Sequence, residues 1–214
     1  MSHDVIGQDA SAGQPTDWRS YGPSPLPKIL RGALGAFAEH GYQATSIREL
    51  ATAAELSVPG LYHHYQSKQE ILVSLLEIVY TELLDRSRAA LASGGDDPLA
   101  RFDASVESLL RFHMFRRAEA FVASTELRSL IPENRSRCVA LRDEQQEILA
   151  TTICDARKVY DTVTEHAGDA ARALSTMCVG VATWYREDGP LSPDEIVKRY
   201  LGFARGLIGA AGQG

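Results

Sequence analysis

The stretch that decides the fold is TSIRELATAAELSVPGLYHHYQSK, which covers residues 45–68. Ser46, with Glu49 three residues later, forms a capping box at the start of a short helix. Ser57 is a natural N-cap for a second helix from Val58 to His64. Helices this short are not stable alone, so flanking helices must hold them. The pattern predicts a helix-turn-helix whose second helix enters the major groove of DNA.

This segment closely resembles the DNA-binding domain of the TetR family of bacterial transcriptional regulators. The resemblance runs through ILRGALGAFAEHGYQATSIRELA (Ile29 to Ala51) and LSVPGLYHHYQSKQEIL (Leu56 to Leu72), roughly a fifth of the chain. It implies an N-terminal three-helix DNA-binding domain and a C-terminal helical domain for ligand binding and dimerisation. One residue departs from the family pattern: Glu55 stands in the turn where Gly is common, and we expect it to need a positive φ.

Composition sets the broad class of the protein. With 214 residues, 44% of them hydrophobic, the chain can bury the cores of two modest domains. It has no apolar run of about 18 residues, so we expect no membrane span. The first 23 residues are polar and lack the apolar segment of a secretory signal. Three widely spaced cysteines, Cys138, Cys154 and Cys178, are typical of reduced core thiols in a cytoplasmic protein.

Charge is distributed unevenly along the chain. The formal net charge is −6, but residues 24–68 carry four basic and three acidic side chains, a net of +1, which leaves −7 on the remainder. Residues 24–68, here called the reading head, are nearly neutral, whereas the rest of the chain is acidic. This distribution favours sequence-specific DNA binding over a non-specific nucleic-acid coat.

We divide the chain into a disordered tail (1–23), a helix-turn-helix domain (24–68) and a helical effector-binding and dimerisation domain (69–214). No segment alternates with period two, and the fold class predicted is all-α. The first helix should run from Pro25 to His40 and end at Gly41. Family members often carry a basic arm in the tail. This one offers only Arg19 and Lys28, so whether the tail touches DNA stays open.

Helix-start signals place the remaining helices. Ser67 with Glu70 opens a long helix over 68–92, and Asp97 with Pro98 opens the next. Further helices are expected at about 117–130, 133–157, 168–185 and 193–210, the last capped by Ser192.

The helix-turn-helix supplies the candidate DNA contacts. The short Pro59 and Gly60 let the second helix approach the groove closely, and Val58 is predicted to contact thymine methyls, while the polar side chains that follow reach phosphates. Tyr62 is alternatively half-buried, and His64 is alternatively a neutral surface imidazole. The candidate DNA-binding residues are Ser46, Arg48, Val58, Pro59, Gly60, Tyr62, His63, His64 and Lys68.

The effector site predicted in the C-terminal domain has less support from the residues. Arg142 lies on a mostly apolar stripe, so its partner is Glu126, a ligand or a surface acid. His113 is either a satisfied core residue or a ligand contact, and Trp184 with Tyr185 line either the pocket or the dimer core. The candidate effector residues are His113, Glu126, Arg142, Gln146, Trp184 and Tyr185. The run WYREDGPLSPDEI resembles TetR-type regulators of lipid, sterol or aromatic-compound breakdown, which implies an aromatic or acyl-CoA-type effector.

Apolar faces on the last two helices predict a four-helix homodimer interface and hence a palindromic operator. Its candidate residues are Leu174, Met177, Val181, Tyr200, Phe203 and Leu207. The sequence contains no phosphate loop, nucleophile elbow or di-iron motif, so we expect neither an enzyme nor a cofactor or metal site. The function predicted is an effector-released repressor, and the alternative is a helical interaction module that binds no DNA.

Overall fold

The computed structural model describes residues 17–161 and 166–209, and within these ranges the fold is all-α, as predicted. The helices are α1 (Lys28–Ala44), α2 (Ile47–Ala53), α3 (Val58–His64), α4 (Lys68–Ser93), α5 (Pro98–Phe115), α6 (Arg117–Glu126), α7 (Pro132–Val159), α8 (Ala167–Trp184) and α9 (Pro193–Leu207). A single 3₁₀ turn, Leu127–Ser129, follows α6. The predicted start of α7 agrees to one residue, whereas the segment predicted as 117–130 ends in this tighter turn.

The predicted caps start the short helices. The Ser46 hydroxyl accepts from the Glu49 N–H, and the Glu49 carboxylate accepts from the Ser46 N–H at 2.6 Å, which completes the capping box. The Ser57 hydroxyl accepts from the Gly60 N–H at 3.1 Å. Side chains thus satisfy backbone donors that helices of seven residues would otherwise leave unpaired.

Two glycines and one non-glycine residue with positive φ shape the backbone of the helix-turn-helix domain. A Cβ at Gly32 would come within 2.7 Å of the Ala53 carbonyl oxygen, so only glycine allows α1 to meet the end of α2. Gly41 has φ 75°, which breaks α1 near its end, where the sequence predicted its last turn. Glu55 has φ 58°, as expected, and its carboxylate pairs with the Lys28 ammonium.

The central element of the body is α4. Its side chains Leu72, Leu75 and Leu76 are all 0% exposed. It packs against α1, α5, α6 and α7, while α8 and α9 pack on α5. One hydrophobic cluster extends from Leu26 to Ile208, so the helix-turn-helix and the body are joined by shared packing as well as by the chain.

The three cysteines are free thiols in or against this core, as predicted. Burial raises the pKa of Cys178 to about 12 and that of Cys138 to about 11. Both side chains are therefore neutral thiols of low reactivity at physiological pH.

The predicted disordered tail is wrong for residues 17–23, whereas residues 1–16 lie outside the described part of the chain. Trp18 is 5% exposed and packs with Ala90 and Ala104, and its indole N–H donates to the Ser93 hydroxyl at 3.2 Å. The average polarity of the segment predicted disorder, but burial of one aromatic side chain is enough to hold it on the body.

Two buried arginines hold the backbone of this segment. Arg86 donates to the carbonyls of Trp18 and Ser20 at 3.0 and 2.9 Å, and Arg116 donates to that of Gly22 at 3.0 Å. Glu82 neutralises both guanidinium groups at 2.9 and 3.0 Å. Buried charges of this kind are tolerated only when they are paired and hydrogen-bonded, so the segment and the arginines depend on each other.

We therefore expect Trp18→Ala to lower the free energy of unfolding by about 3 kcal/mol, because the substitution removes a buried aromatic side chain. Urea unfolding followed by far-UV circular dichroism measures this. Phe121→Ala is the matched control, because Phe121 is 47% exposed and should change stability little. Equal effects of the two substitutions would mean that the segment does not stabilise the fold.

Candidate nucleic-acid interface and ligand cavity

Helix α3 is held by one side chain and presents the next three to solvent. Leu61 is 0% exposed within the core, whereas Tyr62 is 47% exposed and both His63 and His64 are exposed. Tyr62 is thus covered over about half of its surface and open to solvent over the rest. A short helix with one anchored residue and a free polar face has the form of a major-groove reading helix.

The N-terminal end of α3 is only partly free. Val58 is half-buried and packs against the core, while Pro59 is exposed. The Ser57 hydroxyl occupies the Gly60 N–H. Pro59 and the residues after Leu61 are thus better placed to meet DNA than Val58.

On α2, Arg48 is exposed, and no ion pair of its guanidinium is found among the described residues. Ser46 is also exposed, but its hydroxyl caps α2 by accepting from Glu49. Arg48 is therefore available to a phosphate or a base edge, and Ser46 shapes the helix start.

The Lys68 ammonium is bonded inside the protein and is not fully free to contact a phosphate. It donates to the carbonyl oxygens of Tyr42 and Thr45, each at 2.9 Å, and lies 4.3 Å from the centre of the Tyr42 ring. Two of its three donors are therefore used inside the protein. Lys68 fixes the start of α4 to the turn between α1 and α2, and a phosphate contact through its remaining N–H stays a prediction.

A cavity of about 240 Å³ lies in the body, between α4, α5, α6, α7 and α8. Three of the predicted effector residues, His113, Arg142 and Gln146, line it. The other lining residues are Val79, Tyr80, Leu83, Leu109, Phe112, Ala120, Ala123, Ser124, Leu141, Gln145, Arg172, Ser175, Thr176 and Val179.

His113 is neutral in this wall. Its Nδ1 lies 2.7 Å from the Leu109 carbonyl oxygen, and burial lowers the pKa of the imidazole to about 4. The Tyr80 hydroxyl donates to the Ala123 carbonyl at 2.7 Å, and burial raises the pKa of Tyr80 to about 12. Both side chains are therefore uncharged hydrogen-bonding groups at neutral pH.

The other three predicted effector residues lie outside the cavity. Glu126 accepts from the Ser129 hydroxyl at 2.7 Å and does not pair with Arg142. Trp184 is 45% exposed, and Tyr185 is 3% exposed in the core. These three residues do not share the cavity with His113, Arg142 and Gln146, because helical periodicity identifies a face of one helix but not which faces of different helices converge.

The same reasoning missed Tyr80, Gln145 and Arg172. Tyr80 follows the stripe residue Val79 on α4 and was not separated from ordinary core. Gln145 adjoins the predicted Gln146, and Arg172 lies on α8, for which the sequence predicted only an apolar face. The sequence did offer one signal for these residues: each is a polar side chain next to an apolar stripe of its helix, which can indicate a cavity wall.

The predicted dimer residues fall into two groups. Leu174 and Val181 are 0% exposed within one subunit, so assigning them to an interface was wrong. Phe203 is 63% and Leu207 39% exposed on α9, whereas Met177 and Tyr200 are half-buried. Tyr200 lies between Trp184 and Phe203, with ring centres 6.2 and 5.8 Å apart, and these three rings form an exposed aromatic patch.

Among the described residues, no cluster of three or more His, Cys, Asp or Glu side chains could hold a metal ion. None of the described helices combines the length and apolar character needed to cross a membrane.

Comparison with known proteins identifies both halves of the chain. Residues 29–75 match the family model for bacterial regulatory proteins, tetR family. The matched residues include the whole of α2 and α3. Residues 95–208 match the model for a tetracyclin repressor-like C-terminal domain. Most of the residues that line the cavity lie in this matched range.

Relatives align along most of the chain. The transcriptional repressor KstR2 of Mycobacterium tuberculosis is 27% identical over 187 residues, which are 85% of this chain and 91% of its own. The crystal structure of PfmR, a TetR family regulator from Thermus thermophilus, has a TM-score of 0.74 and 30% identity, covering 83% of this chain and 97% of that chain. AibR in complex with isovaleryl coenzyme A and operator DNA shares the fold, with a TM-score of 0.72 and 22% identity, covering 82% and 95%. The chain therefore belongs to the TetR family of bacterial transcriptional regulators, and it is a DNA-binding regulator rather than an enzyme.

Proposed function

We propose that the protein is a homodimeric repressor that binds a palindromic operator and leaves it when a small-molecule effector occupies the cavity. The observation that carries the proposal is α3, which buries Leu61 and presents Tyr62, His63 and His64 outward. Such a regulator works in the cytoplasm, where its DNA lies.

On this proposal, α3 enters the major groove, with Pro59 and the three outward side chains facing base edges or the adjacent phosphates. Arg48 adds a charge-assisted contact from α2. Lys68 acts mainly by fixing the position of the reading head.

The effector acts through α4. This helix begins at Lys68, which is bonded to the head, and twelve residues later contributes Tyr80 to the cavity wall. At 1.5 Å per residue, the two points lie about 18 Å apart on one helix. A ligand that binds one tilt of α4 more tightly than another shifts the separation of the two reading helices, and only that difference in affinity can release DNA.

The nature of the effector is suggested by relatives and by the cavity. AibR has been solved with isovaleryl coenzyme A and operator DNA, and KstR2 is described as a ketosteroid transcriptional regulator. The cavity of this chain is mostly apolar with a few polar groups, which suits the body of an acyl or aromatic compound.

The dimer forms through α8 and α9. The aromatic patch of Trp184, Tyr200 and Phe203, continued by Leu207, exposes apolar surface that a second copy would cover. To bind both half-sites of a palindromic operator, this two-fold dimer must hold its reading helices about 34–36 Å apart, one turn of DNA.

We expect Arg48→Gln and Tyr62→Phe each to weaken operator binding by about 1–3 kcal/mol without changing the melting temperature, because both side chains are exposed. Fluorescence anisotropy with the DNA upstream of the protein's own gene measures this across a salt series. Arg135→Gln on α7, also exposed, is the control. If the unaltered protein retains no such DNA at physiological salt, the helical interaction module becomes the better description.

Lys68→Ala should behave differently from Arg48→Gln. Because its ammonium holds two backbone carbonyls, its loss should lower both the melting temperature and operator affinity. Calorimetry and anisotropy on the same preparation distinguish the two roles. A variant that melts like the unaltered protein but binds all DNA sequences less well would make Lys68 a plain phosphate contact.

Phe203→Glu should convert the dimer to a monomer, because it places a charge in the exposed aromatic patch. Sedimentation velocity measures the mass, and operator affinity should fall with it. Phe121→Glu, which adds the same charge at another exposed phenylalanine, should leave the dimer intact. A Phe203→Glu variant that stays dimeric would place the interface elsewhere.

A further inference from the structure

The cavity has an inner part whose chemistry is fixed by one histidine. His113 is 6% exposed, and its Nδ1 lies 2.7 Å from the Leu109 carbonyl oxygen. A carbonyl oxygen can only accept, so Nδ1 carries the proton of the neutral ring. Nε2 is then a bare lone pair in the cavity wall, and no partner for it is found in the described residues. The inner end of a ligand must therefore offer this atom a hydrogen-bond donor.

Two amides in the same wall also lack partners. Gln145 is 9% exposed and its Oε1 is buried without a hydrogen bond, and the Nε2 of neighbouring Gln146 is in the same state. Both residues line the cavity. Buried polar groups are almost always paired, so this wall is incomplete without a polar group inside the cavity. A hydroxyl both donates and accepts, and it is the simplest group that suits His113 and an amide together.

The opening of the cavity carries positive charge. Arg142 on α7 and Arg172 on α8 line it and are both exposed, and neither takes part in an ion pair within the described residues. The lining residues include no Asp or Glu. Free guanidinium groups at the edge of a partly apolar cavity favour an anion there.

Resting on the effector role proposed above, we infer that the ligand is an amphipathic hydroxy acid. Its hydroxyl donates to the His113 Nε2 and accepts from the Gln146 amide. Its apolar body lies against residues such as Leu83, Phe112 and Val179, and its anion meets Arg142 and Arg172. The cavity volume of about 240 Å³ accommodates a small acyl or ring body but not a nucleotide. A coenzyme A thioester of the acid would thus keep its phosphates outside, at the two arginines.

Four matched probes test the two ends of the ligand: 8-hydroxyoctanoate, octanoate, methyl 8-hydroxyoctanoate and 8-hydroxyoctanoyl-CoA. Isothermal titration calorimetry on the full-length protein measures each affinity. We expect the hydroxy acid to bind at least tenfold more tightly than octanoate and than the neutral ester. Tighter binding of the thioester than of the acid would identify the thioester as the source of the anion, and the reverse order the free acid.

Variants assign these effects to residues. His113→Phe keeps a ring of similar size and should remove the preference for 8-hydroxyoctanoate over octanoate while leaving octanoate binding unchanged. The double variant Arg142→Gln, Arg172→Gln should weaken the acid but not the methyl ester, and Arg135→Gln should change neither. The inference is overturned if octanoate or the ester binds as well as the hydroxy acid, or if no probe binds.

Operator anisotropy, measured separately, distinguishes this inference from the function on which it rests. Probes that bind in the expected order without releasing DNA would support the ligand class and refute the release mechanism. Intact operator binding with no probe bound would refute the ligand class and leave DNA recognition standing.

Discussion

The orientation of the reading head on the body depends on the ammonium of Lys68, in addition to the hydrophobic packing that the two parts share. By donating to the carbonyls of Tyr42 and Thr45, it closes the turn between α1 and α2 against the first residue of α4. Helices of seven residues cannot keep their own orientation, so the direction in which α3 points is inherited from this junction and from the buried Leu61. A rotation of α4 must therefore carry the head with it.

Side chains at two further positions along α4 bond to neighbouring segments. Tyr80 bonds to the Ala123 carbonyl of α6, and Arg86 bonds to the carbonyls of the segment around Trp18. From Lys68 to Arg86 the helix rises about 27 Å, and the cavity opens beside Tyr80, between the two end restraints. On the proposed mechanism, a ligand in the cavity acts on the part of α4 that lies between these two end restraints, so a small displacement of the helix is passed to the reading head. The N-terminal segment around Trp18 restrains the C-terminal half of α4 through Arg86.

How much the sequence could predict depended on whether a feature is local. Ser46 with Glu49, Ser57 and the strained Glu55 act on backbone within four residues, so their roles could be predicted without knowing the fold. Lys68 was expected to bind a phosphate because its charge is visible in the sequence, whereas the carbonyls that it meets lie 23 and 26 positions away.

The errors on the C-terminal helices have a related cause. Leu174 and Val181 share an apolar face with Met177, and periodicity alone cannot tell whether that face meets the same subunit or another one. The cavity is harder still, because its polar wall combines α5 and α7, and the lone pair of His113 matters only once Leu109 has fixed its tautomer.

The charge distribution explains why dimerisation and recognition belong together in this protein. A reading head (residues 24–68) with a net charge of +1, joined to a body (69–214) with a net charge of −5, gains little from non-specific attraction to DNA, and the acidic body repels the DNA. A single head with so few phosphate contacts binds weakly, but two heads joined by a rigid interface convert the second contact into an intramolecular one. Affinity then depends on the spacing of the two heads, which is the quantity that a displacement of α4 alters on the proposed mechanism. A strongly basic head would bind DNA at any spacing, so the modest charge suits the effector-driven release proposed above.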